Sequence, residues 1–175
     1  MGSFAYFAYG SNMLAERLQA RCKSANVISP AWVDDYELAF HKTSKDGSGK
    51  ATLITAKELS RRAYGVIFSI NDSEKADLDR AEGAGYACNK NFNVFTASAS
   101  PVVVITYLAR PASSDTALVP YDWYHDLVIA GAMQNALPND YIKRLKDIAA
   151  KPDPNPDRPE RLTARELLRN LGFSS

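Results

Sequence analysis

The sequence predicts an α+β fold, a mixed sheet flanked by helices. Three observations predict it. Short runs rich in aromatic and β-branched residues, at 4–9, 63–70 and 101–108, alternate irregularly with helical patterns at 13–21, 73–82 and 121–136. The 175 residues are 46% hydrophobic and 23% charged, which is the composition of one domain with a substantial core. No internal repeat and no second apolar core divides the chain.

The first element is the most informative. Residues 4–9, Phe-Ala-Tyr-Phe-Ala-Tyr, read as a strand buried on both faces. Gly10 breaks it, Ser11 and Asn12 are strong helix caps, and Met13 to Leu18 opens a helix. A buried strand running through a glycine turn into a helix aims free backbone N–H groups at one point, where a carboxylate or a developing oxyanion could be held. The same residues also make an ordinary capped turn.

Residues 26–40 read as strand, broken at Ser29-Pro30, and 42–50 as a polar loop with Gly47 and Gly49. Strands follow at 51–56 and 63–70, with a turn at 57–61 between them. A short helix at 73–82 ends at Gly83. Strands at 86–97 and 101–108 meet at Ala99-Ser100-Pro101. A loop at 109–120 precedes a helix at 121–136, and a second helix starts near Pro138-Asn139. Residues 151–160 hold four prolines and read as an extended connector. Thr163 with Glu166 forms a capping box for a last short helix, with Leu162 and Leu167 as its staple.

Glu82 is the candidate acid/base. It follows Leu78 by one helical turn, so both project from one face, and Ala81 and Gly83 add little bulk around it. A carboxylate turned toward an apolar side, at a helix C-terminus, has its pKa raised, which suits proton shuttling near neutral pH. A glutamate in solvent at a helix end is the plain alternative.

Other chemistries fail on spacing. Gly47-Ser48-Gly49-Lys50 lacks the Gly at 44 and the Ser or Thr at 51 of a phosphate-binding loop, where Ser44 and Ala51 stand. His41 and His125 have no ligand spacing with Cys22 or Cys88, so no metal is expected. Ser11 lacks the nucleophile-elbow pattern, because residue 13 is Met. The net charge of +1, without a basic stripe, points away from nucleic acid and from anionic membranes. The absence of a signal-like start and the two cysteines lead to the expectation of a cytoplasmic protein with reduced thiols.

Tyr9-Gly10-Ser11-Asn12 after an aromatic strand resembles the signature of the γ-glutamylcyclotransferase family. The likeness continues in order through Tyr64-Gly65-Val66-Ile67-Phe68, Asp79-Arg80-Ala81-Glu82-Gly83, Tyr107-Leu108, and Tyr124 to Leu145 with Gly131-Ala132, Asn135, Leu137-Pro138 and Tyr141. It covers residues 4–150, the expected catalytic domain. Residues 151–175 are expected to be a Pro-rich extension with a short helix docked on that domain. Residues 42–51 look like a loop of microbial members. The Glu82-to-Tyr86 segment is shorter than in animal members.

The resemblance implies a small mixed β-barrel flanked by helices. It implies conversion of a γ-glutamyl compound to 5-oxoproline and a free amine, with Glu82 as general acid/base and no cofactor. It also implies a small-molecule site built from Tyr6, Phe7, Ala8, Tyr9, Gly10, Ser11, Asn12, Tyr86, Tyr107 and Tyr124. A γ-glutamylamine-type cyclotransferase of the same fold, a non-catalytic binding protein, and assembly as a homodimer all stay open.

Overall fold

A computed structural model describes residues 2–58, 60–98 and 100–173. Leu59 and Ala99, which fall in two of the expected turns, and the terminal residues Met1, Ser174 and Ser175 lie outside the described residues.

Five strands close a barrel in the order β1, β5, β2, β6, β7. These are β1 (Ser3–Ala8), β2 (Asn26–Asp34), β5 (Arg62–Asn71), β6 (Tyr86–Phe95) and β7 (Pro101–Ala109). Neighbours are antiparallel except where β1 meets β7, a parallel contact at Tyr6 and Ile105 that completes the ring. The expected mixed sheet is therefore a mixed barrel. Phe7, Val66, Phe68, Ile70 and Val94 are fully buried, which explains why β1 and β5 read as near-continuous apolar runs.

The remaining strands, β3 (Tyr36–Thr43) and β4 (Gly49–Thr55), form a separate two-stranded sheet. The sequence reading of 26–40 as one strand interrupted at Ser29-Pro30 is corrected here. The pairing at Val27 to Ser29 is only a register shift within β2. The chain turns instead at Asp35, in the left-handed region at φ 63°. Asp is among the few side chains that tolerate that region.

The helices pack around the barrel. They are α1 (Ala15–Gln19), α2 (Lys75–Glu82), α3 (Asp122–Gln134), α4 (Asn139–Lys146) and α5 (Pro159–Asn170). None of the described helices is long and apolar enough to cross a membrane. In α3, Trp123, Leu127, Val128 and Ala132 are buried. Gly131 lets α3 approach the turn after β1. A Cβ there would stand 2.7 Å from Leu14 N and 2.7 Å from Met13 Cβ.

Two further expectations change. Thr163 is not a cap, because α5 already begins at Pro159, the first-turn position at which a missing N–H costs nothing. The apolar face of α5, with Ala164 and Leu168 buried, lies against α3. The helix expected from Met13 is also interrupted. Ser11–Met13 is a single 3-10 turn, Leu14 is extended, and α1 has only five residues.

Candidate functional site

β1 delivers Tyr6 and Tyr9 to one end of the barrel, and the 3-10 turn bends back across that end. The N–H groups of Met13 and Leu14 return to the carbonyls of Gly10 (3.0 Å) and Ser11 (3.4 Å). The preceding amides, of Gly10, Ser11 and Asn12, are those a first turn leaves without intrahelical partners. Neither Ser11 nor Asn12 caps the turn with its side chain. Ser11 Oγ accepts from Arg17 Nε (3.1 Å), and Asn12 reaches across to α2.

Glu82 closes α2 and points inward. Its Oε1 accepts from Asn12 Nδ2 (2.8 Å) and from the Tyr6 hydroxyl (3.0 Å). Arg21 Nη1 donates to Asn12 Oδ1 (2.9 Å) and so fixes which end of the amide faces Glu82. Burial pushes the Glu82 carboxyl above its ordinary range. The charges of Arg21 and Arg17 and the hydrogen bonds from Tyr6 and Asn12 pull it partway back. Gly83, at φ 79°, breaks the helix immediately after Glu82 and turns the chain toward β6.

Glu82 and the turn border one cavity of about 360 Å³. Of the residues expected to bind substrate, Tyr6, Tyr9, Gly10, Ser11, Asn12, Tyr86, Tyr107 and Tyr124 line it together with Glu82. Phe7 and Ala8 do not. Strand alternation turns the Phe7 ring into the barrel core, where it stacks on Phe92, and Ala8 is buried.

The tyrosines have structural partners as well. Tyr9 donates to the Tyr107 carbonyl, Tyr107 to Asp79 Oδ1 (2.5 Å) and Tyr86 to the Ala51 carbonyl (2.7 Å), while Tyr124 Oη accepts from the Ala51 amide (3.2 Å). Burial, with the charge of Glu82 acting in the same direction, raises the pKa of Tyr6 and Tyr9, which keeps both phenols protonated as donors. The Asp79 carboxylate is tied to Tyr107 and to Lys75 (2.5 Å).

Sequence reasoning missed the basic part of the wall. Arg17, Arg21, Lys42, Lys50 and Arg158 also line the cavity. Arg17 and Arg21 had a usable signal, because residues four apart near a helix share a side. Lys50 had none. It binds Asp46 (2.7 Å) and lies over the rings of Trp123 and Tyr124 at 4.8 and 4.7 Å. Arg158 comes from the Pro-rich segment and is anchored by the buried Asp153 (2.6 Å), which also accepts from Trp123 Nε1 (2.9 Å).

A small mixed barrel with a glutamate facing a strand-to-turn cradle belongs to a recognisable class, and the AIG2-like family matches residues 62–145. The γ-glutamylcyclotransferase of Bos taurus is 33% identical over 150 residues, covering 83% of this chain and 79% of that protein. The γ-glutamylcyclotransferase of Homo sapiens is 32% identical over 152 residues, with the same coverage. A solved γ-glutamyl cyclotransferase superposes with a TM-score of 0.83 at 28% identity, covering 97% of this chain and 99% of the other. The chain belongs to the γ-glutamylcyclotransferase family of enzymes.

Proposed function

We propose that the protein converts γ-glutamyl amino acids to 5-oxoproline and a free amine, with Glu82 as the general acid/base. The observation that carries this reading is the position of Glu82. Its carboxylate is held by Asn12 and Tyr6 on the wall of the same cavity that the Gly10–Asn12 turn borders. The substrate's own α-amino group attacks its γ-carbonyl, so no protein nucleophile is needed. Folding the substrate into the cavity supplies the high effective concentration of an intramolecular reaction. Glu82 takes a proton from the α-ammonium and returns one to the leaving amine. The turn amides support the oxyanion that forms at the γ-carbonyl.

The basic wall supports leaving amines that carry a carboxylate. Arg158 and Lys42 would repel the positively charged end of a polyamine.

The test is turnover over a panel of γ-glutamyl dipeptides, glutathione and γ-glutamyl-ε-lysine, with wild type and Glu82→Gln. We expect 5-oxoproline from the dipeptides, and a loss of about 10²-fold or more in the variant. A preference for the ε-lysine isopeptide would move the protein to the γ-glutamylamine type. Binding of the dipeptides without turnover would make it a non-catalytic binding protein.

A further inference from the structure

Arg17 and Arg21 stand side by side at the cavity wall, and their hydrogen-bond partners are neutral. Arg17 Nε donates to the Ser11 hydroxyl and Arg21 Nη1 to the Asn12 carbonyl oxygen. Among the described residues no carboxylate forms an ion pair with either guanidinium. Of the other cations lining the cavity, Lys50 and Arg158 have their anions, in Asp46 and Asp153, and Lys42, also without an ion pair, stands over the Tyr86 ring. Burial, reinforced by the charge of Arg21, lowers the Arg17 pKa to about 10. Glu82 is the nearby negative charge that both feel, but it makes no ion-pair contact with either, and a guanidinium removed from water without a carboxylate in contact is costly. An anionic ligand arriving in this cavity would supply that charge.

We propose that Arg17 is the ion-pair partner of the substrate's α-carboxylate, and not of a carboxylate on the leaving group. The inference rests on the γ-glutamyl reading above and assigns the residue that recognises the amino-acid end of the substrate. The α-ammonium must reach Glu82 to be deprotonated. The α-carboxylate is attached to the same carbon, so its oxygens lie roughly 3 Å from that nitrogen. The carboxylate therefore falls beside whatever cation neighbours Glu82. Arg21 and Arg17 are the cations whose charge most lowers the Glu82 pKa. Each uses one nitrogen: Arg21 gives Nη1 to Asn12, whose orientation toward Glu82 it fixes, whereas Arg17 gives Nε to Ser11 and keeps both terminal Nη groups for a carboxylate. Lys42 also feels Glu82, but it stands over the Tyr86 ring (5.0 Å) on the β3 side of the cavity. The γ-carbonyl and the leaving amine lie beyond two intervening methylenes, toward the wall formed by Lys42 and Arg158. On this assignment the zwitterionic end of the substrate meets a complementary pair, ammonium on Glu82 and carboxylate on Arg17. The product 5-oxoproline keeps the second contact and has lost the first.

The product tests it, because 5-oxoproline has the α-carboxylate and no leaving group. Calorimetry compares 5-oxoproline with its neutral amide on wild type, Arg17→Met and Arg17→Lys, with thermal melts as a check on folding. Wild type should prefer the acid to the amide by about 30-fold or more, a typical cost of leaving one member of a desolvated charge pair alone. Arg17→Met should lose that preference while still binding the amide, and Arg17→Lys should keep part of it. A wild type that binds acid and amide equally overturns the assignment. So does an Arg17→Met protein that keeps the preference, or one whose turnover falls only for substrates whose leaving group carries a carboxylate. Should Arg17→Met fail to fold, Arg17→Gln, which is also uncharged, takes its place with the same two outcomes. Wild type that neither binds 5-oxoproline nor turns over γ-glutamyl-alanine would instead overturn the cyclotransferase reading itself. Turnover by wild type with an unaffected Arg17→Met overturns only the role of Arg17.

Discussion

The Asn12 side-chain amide donates to the Glu82 carboxylate at 2.8 Å, joining the first turn of the chain to the end of α2. With its oxygen held by Arg21, this amide has one orientation available, and it presents N–H to Glu82. Asn12→Ala removes a hydrogen bond to a charged group, the stronger kind. We expect turnover to fall by about tenfold or more. Asn12→Asp should be worse near neutral pH, because two carboxylates side by side cannot both ionise freely, and its activity should rise toward alkaline pH. The pH–rate profile of 5-oxoproline release checks both variants.

Glu82 should also cost stability. Its folded pKa is raised above the unfolded value, so its stabilising contribution is full below the ordinary carboxylate pKa and is lost as pH rises through the folded value. Glu82→Gln has no charge to desolvate. The melting temperature of the variant relative to wild type should therefore increase from about pH 4 to pH 8, a range that begins near the ordinary glutamate value. A difference independent of pH would show that the carboxylate is not desolvated.

Gly10 is expected to be sensitive for reasons of space. Its φ is −107°, which other residues adopt, but a Cβ would stand 2.8 Å from Ala51 Cβ and 3.5 Å from the Tyr124 hydroxyl. Gly10→Val should abolish detectable turnover, and Gly10→Ala should reduce it. Ala51→Gly should restore part of the loss in Gly10→Ala, a coupling that a double-mutant cycle measures. Ser11→Ala should be milder, since no cap is lost.

The Asp153–Arg158 pair should support the cavity from the Pro-rich side. Burial would raise the Asp153 carboxyl, but hydrogen bonds from Arg158, the Asn155 amide and Trp123 bring it down to about 2. Its contribution is therefore present above the ordinary aspartate pKa and is lost as pH falls from about 4 toward 2. Asp153→Ala leaves Arg158 without its anion. It should lower the melting temperature by about 5 °C or more and raise KM, because Arg158 lines the cavity. Melts and steady-state kinetics check this.

Much of this geometry was legible in the sequence. The apolar run of β1, the glycine turn and the helical spacing of Leu78 and Glu82 identify both halves of the candidate site, because periodicity and turn chemistry are local signals. Three features were not local. The strand break at Asp35 rests on one left-handed residue that no glycine or proline marks. Ser11 and Asn12 look like caps, but tertiary partners claim both side chains. Arg158 reaches the cavity only because Asp153 is buried against Trp123, and no spacing in a Pro-rich stretch predicts that.

The barrel is closed by its most distant pair of strands. Tyr6 on β1 meets Ile105 on β7, and the Thr106 hydroxyl binds the Phe7 carbonyl at 2.9 Å. Such closure pays the loop entropy of about a hundred residues before it is rewarded, so it belongs late in folding. The cavity exists only after that step, since Tyr6 and Tyr107 are on the two sides of the seam. Catalytic competence and the last act of folding are then a single event, and refolding protein should regain activity in step with its final kinetic phase.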